Sequence, residues 1–173
     1  DLSDISYTAA DGDIRSVQQM LEDSYTDSFL VVKNNSVLYE KYFNGMAADS
    51  LHLLNSVTKS LTGMLACIIA EQGYFDMDDP VIQYLPELER TSFEKTSIRH
   101  LLDMTAAPKY GEDYSDPEAD FWVETAVVGW RPALVGKDSK TSLLEYAQSL
   151  VEAEQLDGEK YHYRTVLTNV LRM

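Results

Sequence analysis

Residues 50–71 read SLHLLNSVTKSLTGMLACIIAE, and this stretch decides how the rest of the chain must be arranged. Apolar side chains occupy nearly every face of the helix that the pattern predicts over residues 55–72, and Gly73 is the expected residue after its end. Lys59 is the one permanently charged side chain between residues 50 and 70. A helix of this composition is expected in the interior of a protein, so we expect the fold to be built around it.

Ser56 precedes this lysine by three positions, which places the two side chains on one face of the helix. A buried lysine loses hydration, which disfavours its charged form, and an uncharged amine can take the proton of a neighbouring hydroxyl. The Ser56 N–H, at the start of the helix, could stabilise an oxyanion. The alternative is that Ser56 caps the helix and that Lys59 reaches water. A second Ser-x-x-Lys match, Ser92 to Lys95, lies in a charged segment and is interpreted as chance.

Composition excludes several classes of function. The chain has 173 residues, a formal net charge of −15 and a sequence pI near 4.4, which disfavour nucleic acid and anionic membranes as partners. No apolar run reaches the roughly 20 residues of a membrane span. Cys67 is the only cysteine, and three scattered histidines do not suggest a zinc site. We therefore expect a soluble protein that acts on small molecules and uses no metal or cofactor.

Elsewhere the pattern predicts helices and one hairpin. Residues 11–22 have the periodicity of an amphipathic helix, and residues 29–39 contain two strand-like runs around Asn34-Asn35. Further helices are predicted over 96–104 and 141–150. A lone hairpin exposes unpaired edges, so we expect that other strands come from chain beyond Met173 or from another chain.

Three segments, in order, resemble one enzyme superfamily. HLLNSVTKSLTG at 52–63 resembles the nucleophile helix of serine beta-lactamases and penicillin-binding-protein-like esterases. TSIRHLLDMTA at 96–106 and GEKYHYRT at 158–165 are similar to two segments of the class C-like branch. Within it, EDYSDP at 112–117 and GWR at 129–131 resemble the 6-aminohexanoate-dimer (nylon oligomer) hydrolases.

The resemblance implies an α+β fold in which an antiparallel sheet flanked by helices packs on an all-helical region, with Ser56 where the two meet. Residues 1–50 would begin the sheet region, and residues 51–173 would supply the nucleophile helix and the helical region. The remaining strands, and the family's third motif (Lys-Thr-Gly or His-x-Gly), are absent from this sequence. We therefore expect a chain that is truncated at its C-terminus.

The resemblance also assigns roles. Ser56 would attack an amide or ester carbonyl, and Lys59 and Tyr163 would act as general base and acid. Tyr114, Trp130 and Thr165 would contact the substrate. Thr165 stands where the family has asparagine, which weakens the case for a beta-lactam substrate.

Two alternatives to an amidase or carboxylesterase stay open. One is a beta-lactamase or D-Ala-D-Ala peptidase, and the other is an inactive binding or sensor domain of the same fold. The sequence leaves open the oligomeric state, and also whether the protein is cytoplasmic or, after removal of a leader, periplasmic or secreted.

Overall fold

The computed structural model describes residues 2–132 and 140–173. The chain divides into two compact units, Asp1–Leu53 and Leu54–Met173. The first contains short strands and one helix, and the second is helical. It stays a prediction that these two units are the beginning of the sheet region and the helical region of the complete fold.

The first unit contains two separate antiparallel hairpins and the first helix. Strands β1 and β2 pair with each other, and β3 pairs with β4. The elements are β1 Ser6–Thr8, β2 Ile14–Ser16, α1 Val17–Asp23, β3 Ser28–Lys33 and β4 Ser36–Tyr42.

The helix predicted for residues 11–22 is wrong in its first part. Ile14–Ser16 is a strand, and α1 begins only at Val17, where the Ser16 hydroxyl accepts a hydrogen bond from the Gln19 N–H at 3.1 Å. Pairing with β1 overrides the helical periodicity, because the strand satisfies backbone groups that a helix start would leave free.

The predicted hairpin is confirmed. Strands β3 and β4 pair from Ser28 opposite Tyr42 to Lys33 opposite Ser36, with a one-residue register shift between Val31 and Val32. Asn34 and Asn35 both have positive φ, 51° and 58°, as a two-residue turn that follows the twist of the strands requires.

In the described residues after position 54, five helices and two 3-10 turns form the second unit. Serine N-caps start two of the predicted helices: Ser97 accepts from the His100 N–H, and Ser142 accepts from the Glu145 N–H, each at 3.2 Å. The short helix α4 was not predicted. The helices are α2 Val57–Glu71, α3 Ile98–Leu102, α4 Asp120–Val127, α5 Leu143–Ser149 and α6 Thr165–Leu171, with 3-10 turns at Val81–Gln83 and Pro86–Leu88.

Helix α6 is the centre of the second unit. It packs against α2, α3, α4 and α5, and its apolar side chains are almost fully buried. The core around it consists of aliphatic and aromatic residues between positions 75 and 171, including Leu88, Phe93, Leu101, Ala147 and Leu167. This packing fixes the segment that precedes α6, which contains Tyr163.

The expected burial of α2 is wrong for the described residues. Ala66 is its one fully buried residue, whereas Val57 and Leu65 are 61% and 56% exposed. Cys67, expected to pack in the interior, is also exposed. An apolar side chain is buried only where another element covers it, and within Leu54–Met173 the helix partner of α2 is α6, on one face.

Among the helices that the structure describes, none combines the length and apolar character that a bilayer crossing requires.

Candidate active site

Ser56 stands immediately before α2, and its side chain makes no capping hydrogen bond. Within residues 2–132 and 140–173, the Ser56 N–H also has no acceptor. The preceding residue, Asn55, has a φ of 46°, in the left-handed region that non-glycine residues rarely adopt. The turn therefore presents a hydroxyl and an N–H that the helix itself does not use.

Lys59 points at this hydroxyl. Its Nζ lies 3.0 Å from Ser56 Oγ, and the side chain is partly buried. The spacing of three residues on one helix face produces this contact, as the sequence predicts. The amine is thus directed to the serine, in contrast to the alternative in which Ser56 caps the helix and Lys59 extends to water.

Tyr163 is the third member of the group. The Lys59 Nζ lies 5.3 Å from the centroid of the Tyr163 ring. The structure therefore brings Ser56, Lys59 and Tyr163 together, although Tyr163 is more than a hundred positions away in the chain. Their catalytic roles stay predictions.

The backbone before Tyr163 is fixed by hydrogen bonds to the segment after α3. The His162 N–H donates to the Met104 carbonyl at 2.9 Å, and the Gly158 N–H donates to the Thr105 carbonyl at 3.0 Å. Met104 has a positive φ of 55°, which turns the backbone at this point. The 158–163 loop, without regular secondary structure, is thereby held in place.

Arg164 fixes the other side of Tyr163. The Arg164 side chain is 1% exposed, donates to Glu154 Oε2 at 2.6 Å and donates to the Ala106 carbonyl at 3.2 Å. A buried guanidinium is stable only when it is paired and hydrogen-bonded. Its position therefore constrains the neighbouring phenol.

Tyr114 lies in an aromatic cluster with two residues of α4. Its ring centroid is 4.9 Å from that of Phe121 and 6.4 Å from that of Trp122. The phenol donates to Glu112 Oε1 at 2.7 Å. Desolvation by the surrounding residues, then the hydrogen bond to Glu112 and its charge, raise the pKa of Tyr114 to about 12, although 59% of the residue surface is exposed.

Glu112 was not singled out in the sequence, and it links Tyr114 to α6. Its carboxylate accepts the Thr165 N–H at 2.6 Å and the Thr165 hydroxyl at 2.7 Å, in addition to the Tyr114 phenol. The hydroxyl of Thr165, a predicted substrate contact, is thus already donated within the protein. Glu112 begins the EDYSDP segment, but that resemblance assigns it no role, and its partner on α6 lies 53 positions away.

A cavity of about 260 Å³ opens beside Lys59. Trp130, 69% exposed, and Thr165 line it, whereas Ser56, Tyr114 and Tyr163 do not. Its described lining consists of Asn55, Thr58, Lys59, Thr62, Phe121, Glu124, Thr125, Val128, Trp130, Thr165, Thr168, Asn169 and Arg172.

Glu124, in α4, is a second residue that the sequence did not reveal. It is 1% exposed and accepts hydrogen bonds from the Tyr110 phenol and the Asn169 amide, both at 2.5 Å. Burial raises the pKa of Glu124, while these two hydrogen bonds and the charge of Lys59 act in the opposite direction. The carboxyl therefore combines a structural role with a place in the cavity wall.

In the part of the chain that the structure describes, no group of three or more histidine, cysteine, aspartate or glutamate side chains could hold a metal ion.

Two relatives are similar to this chain in sequence. The 6-aminohexanoate-dimer hydrolase of Paenarthrobacter ureafaciens is 38% identical over 125 residues, which are 72% of this chain and 32% of the relative. A beta-lactamase of Yersinia enterocolitica is 26% identical over 117 residues, 65% of this chain and 30% of the relative. The chain spans about a third of the length of these curated relatives.

Two solved structures have a similar fold. A Bacillus anthracis protein provisionally named a 6-aminohexanoate-dimer hydrolase matches with a TM-score of 0.81 at 25% identity, over 99% of this chain and 45% of that one. A protein of Bacteroides dorei DSM 17855, provisionally named a beta-lactamase, matches with a TM-score of 0.63 at 19% identity, over 90% of this chain and 42% of that one. The mixed α+β architecture with small antiparallel sheets is thus the beta-lactamase-like fold, as predicted.

The Beta-lactamase family description matches residues 14–173, nearly the whole sequence. With the two relatives, the two similar folds and the Ser56–Lys59 contact, this shows that the chain belongs to the beta-lactamase family.

Proposed function

We propose that the protein is a serine hydrolase that cleaves amide or carboxylic ester bonds of small molecules through an acyl-enzyme on Ser56. The observation that carries this proposal is the 3.0 Å separation of Lys59 Nζ and Ser56 Oγ, which is within the range for direct proton transfer. A serine hydroxyl is a weak nucleophile until a base of this kind removes its proton.

In the first step the Ser56 oxygen forms a bond to the carbonyl carbon, and the serine proton passes to the Lys59 amine. The electrons of the C=O double bond move to the carbonyl oxygen, where the free Ser56 N–H can donate to the oxyanion. Collapse of this intermediate breaks the bond to the leaving amine or alcohol. The leaving group takes the proton held by Lys59 and Tyr163.

In the second step a water molecule replaces the leaving group. The same two residues accept a proton from the water as it attacks the ester carbonyl of the acyl-enzyme. The proton then returns to the Ser56 oxygen, and the carboxylic acid is released. The contact between Lys59 and the Tyr163 ring supports a shared role, because both residues must act on one proton in turn.

Short amides are the substrate class that we favour. The name of the Paenarthrobacter ureafaciens relative, a 6-aminohexanoate-dimer hydrolase, indicates a short amide. The Tyr114 phenol keeps its proton up to a high pH, and it can donate to a substrate once it leaves the Glu112 carboxylate. Trp130 offers an exposed aromatic surface at the cavity.

The test compares Ser56→Ala with Ser60→Ala in the complete protein. Ser60 is an exposed serine one helical turn further along α2 and serves as the matched control. We expect Ser56→Ala to abolish p-nitrophenyl ester turnover and fluorophosphonate labelling, and Ser60→Ala to retain both. Undiminished labelling of Ser56→Ala would contradict the proposal.

A beta-lactamase or D-Ala-D-Ala peptidase is the second candidate, since the Yersinia enterocolitica relative is named a beta-lactamase. We expect slow or no turnover of a chromogenic cephalosporin, because Glu112 already accepts the Thr165 hydroxyl. An inactive binding domain would instead bind ligands reversibly, with no acyl-enzyme in the intact mass.

A further inference from the structure

Glu112 joins two segments that contribute separately to the candidate site. One segment is the loop that carries Tyr114, and the other is the backbone between Tyr163 and α6. We propose that Glu112 is a positioning residue: its carboxylate fixes these two segments to each other and so sets where both phenols stand relative to Ser56. The inference rests on the proposed function.

On the loop side, the carboxylate accepts the Tyr114 phenol at 2.7 Å. Tyr114 is only two residues after Glu112, so this contact closes a tight local turn. The contacts of Tyr114 with Phe121 and Trp122 hold the ring against α4 but leave the hydroxyl free to rotate. Glu112 is therefore the group that orients the hydroxyl.

On the helix side, the carboxylate acts as the N-terminal cap of α6. Arg164, at the N-cap position, makes no side-chain capping bond, and Glu112 accepts the N–H of the next residue, Thr165, at 2.6 Å. Thr165 is two residues after Tyr163. A shift of Glu112 would therefore move the start of α6 and the adjacent phenol together.

The geometry of the hydrogen bonds to Glu112 matters more than the negative charge of its carboxylate. The Thr165 N–H can only donate, whereas the hydroxyls of Thr165 and Tyr114 can donate or accept. A glutamine at position 112 can place its amide oxygen on the N–H and donate from its amide nitrogen to both hydroxyls. An aspartate keeps the charge but is one methylene shorter and cannot span the two segments.

The decisive comparison is Glu112→Gln against Glu112→Asp in the complete protein. Misplacement of reacting groups by about 1 Å can cost about 100-fold in rate, so we expect Glu112→Asp to lower kcat for ester hydrolysis by about 10- to 100-fold. The kcat of Glu112→Gln should stay above that of Glu112→Asp. The matched control is Glu159→Gln, which removes one exposed carboxylate from the 158–163 loop and should leave kcat unchanged.

The inference is overturned if Glu112→Asp lowers kcat by less than about tenfold. It is also overturned if the kcat of Glu112→Asp equals or exceeds that of Glu112→Gln. The second result would mean that the charge, and not the link, is what matters. Ser56→Ala is measured in the same series. If Ser56→Ala retains fluorophosphonate labelling, the proposed function fails. If Ser56→Ala is inactive and Glu112→Asp keeps the wild-type kcat, only the role of Glu112 is contradicted.

A second measurement does not depend on activity. Glu112 contributes to the raised pKa of Tyr114 through its hydrogen bond and its charge. Glu112→Gln should therefore lower the pKa of Tyr114 below about 12, as measured by phenolate absorbance against a Tyr114→Phe reference. An unchanged pKa would show that the contact is absent in solution and would overturn the inference.

Discussion

Replacement of Glu124 tests the buried part of the site. Glu124→Ala would leave the Tyr110 phenol and the Asn169 amide without their common acceptor. A buried donor that loses its partner costs about 1–3 kcal/mol, so the two donors together predict a loss of about 2–6 kcal/mol in the free energy of unfolding. That is a large share of the roughly 5–15 kcal/mol that stabilises a typical domain.

Glu124→Gln provides the matched control. The amide oxygen can accept from Asn169, and the amide nitrogen can donate to the Tyr110 oxygen, so both buried partners stay satisfied. This substitution also removes an ionisable group. Burial raises the pKa of Glu124 above its ordinary value of 4.5, so the folded state holds a proton that the unfolded state releases. The contribution of this bound proton to the free energy of unfolding is complete below pH 4.5, and it is lost as the pH rises through the raised pKa of Glu124.

The assay is urea unfolding of the complete protein at several pH values between 4 and 8. We expect Glu124→Ala to be less stable than the wild type by about 2–6 kcal/mol. The stability of Glu124→Gln relative to the wild type should increase as the pH rises, because only the wild type ionises at this position. The reasoning is refuted if Glu124→Ala unfolds at the wild-type urea concentration, or if the difference between wild type and Glu124→Gln is independent of pH.

Three further predictions concern the site and its surroundings. Lys59→Met should lower kcat/KM for ester hydrolysis by about 100- to 10,000-fold while the far-ultraviolet circular dichroism is unchanged, and an active variant would exclude this lysine as the base. Gly158→Ala should lower the thermal unfolding midpoint and reduce the free energy of unfolding by about 1–2 kcal/mol. The reason is that Gly158 has a φ of 85° and a new Cβ would stand 3.2 Å from His100 Nε2. Asp27→Asn should lower the pKa of His52, which the hydrogen bond that His52 donates to the Asp27 carboxylate raises. An unshifted imidazole resonance in an NMR titration would contradict this pairing.

Local signals in the sequence predicted local structure well. The Asn34-Asn35 pair predicted the β3–β4 turn, and apolar periodicity predicted α3 and α5 to within two residues at each end. The first hairpin was missed because its strands have only three residues each, too few for an alternating pattern to show.

The residues of the candidate site divide in the same way. Ser56 and Lys59 are three positions apart, so their contact follows from helical geometry. Tyr163 was found through its resemblance to a motif, because no periodicity links it to α2. Glu112 and Glu124 were missed because their partners on α6 lie 53 and 45 positions away, and such contacts exist only once the chain has folded.

The burial of α2 shows the limit of composition as evidence. An apolar residue indicates a preference for burial, but the neighbouring elements decide whether it is covered. Leu65 and Cys67 have the composition of an interior helix and are exposed in this chain.

The hydrogen bonds on either side of Tyr163 have a consequence for how activity can change over evolution. Arg164 reaches Ala106 across 58 positions, and Thr165 reaches Glu112 across 53. A mutation in the stretch from Met104 to Glu112 can therefore shift the Tyr163 phenol, which we propose takes part in the reaction, without altering any proposed substrate contact. New substrate preferences are then accessible through inconspicuous sites, and surveys confined to pocket-facing positions would overlook them.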